Sequence, residues 1–353
     1  MKLFTVATIS TLALLVGAPA LAASFNEAIT EQRGNSNTLD LTQSGKANSI
    51  NALQDGRRNT FEADQTAGRS NVIELTQEGR YNYASSGQAD STNSVTTVDQ
   101  ESARNAARDA GHVAVTGQDH THNSQIEVKQ TGESQIAVAT QAANTRNNSK
   151  IVIDQSLTTN EAYASQSNVS GSTLYVGQAG EFNTAHAVQE KSTGTHANVI
   201  QWGSANYAEV GQTGNTNSST NIAQAGVFNV AATLQSGSKN SDIFVEQYGL
   251  DNFLIAAQTN SNNSRIATVQ YGWSNSADIS QNNSNGSAIY LLQSGAQNYA
   301  NLSQNNSSAS TITGFQFGGS NTLVASQANN TNSTIVSAQY GNNNSATIVQ
   351  HGK

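Results

Sequence analysis

The chain has 353 residues, 36% of them hydrophobic and 11% charged, both below the usual globular averages. It is too polar for a Leu/Ile core and too weakly charged for a typical disordered tail. A formal charge of −8 with no basic stripe argues against nucleic acid as the main partner, and the absence of Cys excludes a disulfide framework.

Residues 1–22 read as a secretory signal peptide, with Lys2 as the positive end, Leu3 to Val16 as the apolar segment and Ala20-Leu21-Ala22 as a small-x-small cleavage site. The apolar segment is shorter than the ~18–20 residues a membrane span needs. No second apolar run follows, so the mature chain is expected to be secreted and to lack a transmembrane segment. Residues 23–31 form a short lead into a repeat array over 32–353. The only Pro is Pro19. Proline cannot donate to a β-ladder, so its exclusion from the mature chain predicts that nearly every backbone N–H is used.

The first half of the array carries leading glutamines at Gln32, Gln54, Gln77, Gln100, Gln130 and Gln155. Departures from the pattern concentrate here. Asn26, Asn48 and Asn71 stand at a position that is Ser in later units, Ser102 and Leu157 replace Gly, and Gln135 replaces Asn. Irregular stretches are expected at about 101–123 and 142–160, with seven extra residues between Ala106 and Gly117 and two or three more near Ala142–Asn148. His112, His120 and His122 fall in the first stretch. His is a common metal ligand, and His120 and His122 would share one strand face. A polar insertion is the simpler reading, and no metal site is assigned.

From Gln178 onward glutamine recurs at alternating steps of eleven and twelve residues, a 23-residue period that signals a solenoid. The leading series is Gln178, Gln201, Gln224, Gln247, Gln270, Gln293, Gln316 and Gln339. The trailing series is Gln189, Gln212, Gln235, Gln258, Gln281, Gln304, Gln327 and Gln350. Between them run a glycine series, Gly180, Gly203, Gly226, Gly249, Gly272, Gly295, Gly318 and Gly341, and an asparagine series, Asn183, Asn206, Asn229, Asn252, Asn275, Asn298, Asn321 and Asn344. One unit reads Ser-x5-Gln-x-Gly-x-x-Asn-x5-Gln, as in Ser264, Gln270, Gly272, Asn275 and Gln281.

Side chains alternate along a strand. Ser264, Ile266, Thr268 and Gln270 therefore share one face, and so do Asn275, Ala277, Ile279 and Gln281. The Gly/Asn clusters between these segments tolerate the positive φ of tight turns. Each unit is thus a strand, a turn, a strand and a turn. The predicted fold is all-β, a two-sheet parallel β-solenoid of 23-residue coils, and fourteen leading glutamines predict about fourteen coils. Apolar spacing does not follow i, i+3, i+4, which removes a helical reading. Stacked coils would place like amides ~4.7–4.8 Å apart and join the Gln and Asn series into ladders.

Trp202, Tyr248, Tyr271, Phe317 and Tyr340 each follow a leading Gln and are expected to stack in one column. A sugar- or dye-binding stripe is one reading, and support of the turn is the simpler one. No Ser/His/Asp or paired-carboxylate arrangement recurs in register. No catalytic or cofactor-binding residue is assigned, and an enzyme is not expected.

The template resembles the curlin repeat of the curli amyloid subunits, and the likeness runs from Gln32 to Lys353. It implies an extracellular, fimbria-like fibre subunit that polymerises with itself in the biofilm matrix and serves adhesion. It also implies a nucleator subunit and an outer-membrane curli secretion apparatus as partners. Only about nine residues precede Gln32 in the mature chain, which leaves a nucleator-like minor subunit as an alternative. A non-polymerising secreted β-solenoid adhesin is another. Of 40 charged residues, 26 lie between Gln32 and Gln166 and 11 from Ser167 onward, so the second half is expected to stack more readily.

Overall fold

Short runs of alternating inward amide or aliphatic residues and outward polar ones, broken every seven to ten residues by Gly/Asn/Ser clusters, leave the chain one regular option. It forms strands that pair with the equivalent strand one coil away. A computed structural model describes residues 25–102 and 111–352. The expected signal peptide, residues 1–22, lies outside the described residues, as do 23–24, 103–110 and Lys353. All regular structure among the described residues is β-strand.

The chain divides into two units, Met1–Asn168 and Val169–Lys353. In the first, six coils are built from β1 (Glu27–Asn35), β2 (Thr38–Lys46), β3 (Ser49–Arg57), β4 (Thr60–Arg69), β5 (Val72–Arg80), β6 (Tyr83–Ala89), β7 (Val95–Ser102), β8 (Val113–Asp119), β9 (Gln125–Glu133), β10 (Ile136–Ala142), β11 (Lys150–Thr158) and β12 (Glu161–Ser167). In the second, eight coils follow. These are β13 (Thr173–Glu181), β14 (Thr184–Glu190), β15 (His196–Ser204), β16 (Tyr207–Thr213), β17 (Ser219–Val227), β18 (Val230–Ser236), β19 (Asp242–Leu250) and β20 (Phe253–Thr259), then β21 (Arg265–Trp273), β22 (Ser276–Asn282), β23 (Ala288–Ala296), β24 (Tyr299–Asn305), β25 (Thr311–Gly319), β26 (Thr322–Ala328), β27 (Thr334–Asn342) and β28 (Ser345–His351).

Within each unit the odd strands form one sheet and the even strands another, each strand hydrogen-bonded in parallel to its neighbour in number order. The fold is therefore a two-sheet parallel β-solenoid of fourteen coils. Pairing is in strict 23-residue register through the second unit, for example Gln247 with Gln270 and Gln258 with Gln281. The core lies between the sheets. Ser264, Ile266, Thr268, Gln270, Asn275, Ala277, Ile279 and Gln281 are all buried, as the period-two reading requires. Apolar inward residues such as Ile243, Ile266 and Ile289 stack in columns between the amides.

The irregular stretches are narrower than the sequence led us to expect. Gln88 pairs with Gln118 and Gln100 with Gln130. The seven extra residues between those marks therefore fall between Ser102 and His112, and Val113–Asp119 is ordinary strand, not part of the insertion. Likewise Lys150–Thr158 pairs in register with Gln125–Glu133, which confines the second irregularity to the turn after Ala142.

Candidate functional site

The chemistry this architecture repeats is the stack of polar side chains. In the second unit each leading glutamine donates Nε2–H to the Oε1 of the next, at 2.8 Å from Gln178 through Gln201, Gln224, Gln247, Gln270, Gln293 and Gln316 to Gln339. The trailing series does the same from Gln189 to Gln350, at 2.7–3.0 Å. The first unit holds equivalent ladders from Gln32 to Gln155 and from Gln43 to Gln166. Leading amides also reach across the core, as when Gln270 Nε2 donates to Phe253 O at 3.1 Å and ties one sheet to the other. All donors within a Gln ladder point toward the C-terminal coil, so each ladder has a direction.

Asparagine closes the first turn. Asn275 donates its backbone N–H and its Nδ2–H to Asn252 Oδ1, both at 3.1 Å, and Nδ2 also serves Tyr271 O and Gly295 O. The same arrangement links Asn206, Asn229, Asn252, Asn298, Asn321 and Asn344. Glycine is favoured beside it. Gly272 has φ +109, and an added Cβ would sit 2.0 Å from Gly295 O, because the carbonyls of successive glycines overlie one another.

The second turn has its own columns, and part of this was missed in the sequence. Besides the template Ser241, Ser264 and Ser287, a further column at Ser238, Ser261 and Ser284 sits three residues earlier and is equally buried. Ser238 Oγ accepts the N–H of Ser261, and Ser261 Oγ donates to Gln281 O. The signal was present as a Ser-x-x-Ser recurring every 23 residues. It was overlooked because serine is common throughout the chain.

The departures keep the donor side of this bonding with other atoms, while the buried Oε1 of Gln135 has no hydrogen-bond partner. Gln135, in the Asn column, donates to Thr131 O and Leu157 O, the carbonyls an Asn would serve. Leu157, in the Gly column, adopts φ +76 and points its side chain to solvent. His112 is a further substitute for Asn. Its backbone N–H donates to Asn82 Oδ1 at 3.1 Å. Its Nε2 lies 3.0 Å from Glu101 O, a carbonyl that can only accept, so Nε2 carries the proton. Nδ1 is then free to accept the N–H of Gln135 at 3.4 Å. Burial pushes its pKa below the ordinary histidine value, while the hydrogen bond to Glu101 O opposes that shift.

The three histidines do not come together. His112 sits in the first turn, and His120 and His122 sit in the second turn, at the far end of β8. Nor do His120 and His122 share a strand face, because His120 takes φ +51 in the turn. His120 instead meets Asp119 at 2.7 Å and Asp90 at 3.8 Å, all three exposed to solvent.

The aromatic column is discontinuous. Tyr248 and Tyr271 stack at 5.0 Å and 10°, and Phe317 and Tyr340 at 5.2 Å and 6°. Ser294 separates the pairs, and Trp202 stands between Ala179 and Ala225. Rings stacked along the axis cover each other's faces and turn their edges to solvent, which suits turn support better than a platform for sugar rings.

Among the described residues, the ladders end at the first and last coils. In the last, Gln339 and Gln350 donate only to backbone carbonyls, Thr322 O and Thr334 O, which leaves one Nε2–H on each. In the first, Gln32 and Gln43 donate to the next coil and accept no side-chain bond from any described residue. A family model described as the curlin associated repeat matches residues 24–66, the stretch that holds the Gln32 and Gln54 units. No curated protein matches the chain.

Proposed function

We propose that this chain, which matches the curlin associated repeat over residues 24–66 and stacks fourteen coils, is a structural subunit of extracellular curli-like amyloid fibres, polymerising with itself at its terminal coils. The observation that carries this reading is the complementarity of the two ends. The last coil offers unpaired amide donors and strand edges, and the first offers unpaired amide acceptors at the same positions of the template. Unblocked edges of this kind template the addition of another chain. A head-to-tail contact that does not close on itself produces an open filament.

A place in the biofilm matrix, a role in adhesion, nucleation by a partner subunit and export through an outer-membrane secretion apparatus complete the proposal, by likeness to the curli family. No helix among the described residues is long and apolar enough to cross a membrane. The test is growth of the purified chain, read by thioflavin fluorescence and fibre diffraction. We expect seeded elongation and a meridional spacing of about 4.7–4.8 Å. A folded chain that stays monomeric in the presence of its own seeds would instead mark a non-polymerising adhesin.

A further inference from the structure

The outward faces of the two sheets differ sharply in the last four coils. On the odd-strand sheet, from β21 to β27, the outward positions carry Tyr271, Trp273, Tyr290, Leu292, Phe315 and Phe317, and the only charge is Arg265 at the rim. Tyr271, Trp273 and Tyr290 are 40–50% exposed. The even-strand sheet of the same coils presents Ser, Asn, Thr and Asp at most outward positions, Asn301, Ser303 and Ser326 among them. The odd-strand sheet of the first unit is different again, with Glu74, Glu78 and Arg80 outward on β5 and Glu127 and Lys129 on β9. Exposed apolar side chains also occur on the even-strand sheet, at Leu234, Phe253, Ile255 and Tyr299, but the odd-strand sheet of the last four coils gathers the aromatic ones on adjacent strands with a single charge at the rim.

Three features decide what would cover it. Four strands at ~4.8 Å spacing and nine residues at ~3.3 Å give about 600 Å² of plan area, hence about 1,200 Å² for two such faces. That reaches the range of specific interfaces. The relief of the face repeats once per coil, so a partner can interleave its side chains at every coil only if it has the same period. With one cation at its rim, the face lacks the basic border that an anionic membrane surface would need.

We propose that this face pairs with the same face of a second copy of the chain, the two sheets packing about 10 Å apart across a two-fold axis. The pairing is lateral, and it is independent of whether copies also add at their ends. Each face supplies the period the other requires, and no charge other than Arg265 is drawn into the contact.

The test compares the full chain with Tyr290→Lys/Phe315→Lys, and with Asn301→Lys/Ser326→Lys as a control that adds the same charge to the opposite sheet. Mass per length of fibres is measured by scanning transmission electron microscopy. One solenoid corresponds to about 5 kDa per nm at a 4.8 Å rise, and a pair to twice that. We expect the paired value for the wild type and the control, and a twofold drop for the variant. A wild-type value of one solenoid, or a variant still at the paired value, overturns the proposal. If no fibres form, which bears on the proposed function and not on pairing, sedimentation velocity of the folded chain decides. A dimer that the variant converts to monomer supports pairing, and a wild-type monomer rejects it.

Discussion

At Gln270 one side chain serves three partners. It accepts from Gln247, donates to Gln293 and donates to Phe253 O. Truncation to Ala strands a donor above, an acceptor below and a carbonyl across the core, all buried. Each orphan costs about 1–3 kcal/mol. Gln270→Ala should therefore lower stability by about 3 kcal/mol or more, while Arg265→Ala, at an outward position, should change it by less than about 0.5 kcal/mol. Denaturant midpoints of the two variants check this, and equal values would refute the ladder account. His112 yields a prediction in pH. Its fold-imposed tautomer needs Nδ1 as an acceptor, so a second proton would set two donors against each other at Gln135 N–H. Glu78 and Glu101, the acidic side chains beside that turn, are exposed and leave burial as the main cause of the lowered pKa. The unfolded chain takes up this proton near its ordinary pKa of 6.5, the folded chain only at lower pH. Stability from this residue is then complete above about pH 6.5 and declines as pH falls toward the folded value. His112→Asn restores the column residue and should remove that part of the acid dependence. Parallel melting curves of the wild type and the variant between pH 7 and pH 5 would reveal no difference if His112 were merely a spacer.

The turns set the limits at the level of elements. Gly272 and Gly286 both have positive φ, but they differ in what surrounds them. A Cβ at Gly272 meets the Gly295 carbonyl at 2.0 Å with φ +109, whereas at Gly286 φ is +60 and nothing lies within 4 Å. Left-handed geometry alone costs a non-glycine residue about 1–2 kcal/mol. Gly286→Ala should stay near that figure, and Gly272→Ala should exceed it and loosen the coil that follows. Hydrogen exchange at Tyr290–Gln293 is the local readout, and equal protection in both variants would show that the glycine stack is not under steric pressure. The two turns also differ in their legibility. Asn275 and Gly272 form a compact motif that is visible in one unit. The double Ser column of the opposite turn emerges only when Ser238, Ser261 and Ser284 are seen to accept or donate across coils. Seven extra residues between Ser102 and His112 were visible as a change of spacing, but their place within the turn was not, because strand register alone reveals where pairing resumes.

Repetition governs the molecule as a whole. In a stack where each coil touches only its neighbours, stability is close to a sum of coil and interface terms, and ordering spreads from the best-formed coils. From Ser167 the chain has regular repeats and 11 of its 40 charged residues, while 26 fall between Gln32 and Gln166 together with the His112, Gln135 and Leu157 substitutions. Outward charge opposes close stacking and edge pairing. A fragment from Ser167 to Lys353 should therefore form fibres with a shorter lag than one from Ala23 to Gln166. Thioflavin kinetics at equal molarity decide it, and a shorter lag for the N-terminal fragment would show that charge and irregularity do not control growth.

The period of 23 residues, the inward placement of Gln270 and Gln281, the two-sheet coil and the need for Gly272 were all determined by the sequence. Each rests on local rules, the alternation of side chains and the φ that a turn demands, and a repeat applies those rules many times over. Only the tertiary structure decided what depends on the neighbouring coil. It made His112, which the sequence placed in a polar insertion, an Asn substitute in the turn and set it apart from His120 and His122. It broke the aromatic column into two pairs, and it gathered Tyr290, Leu292, Phe315 and Phe317 on one outer face. These are relations between residues 23 or more positions apart, and stacking, not local propensity, brings them into contact.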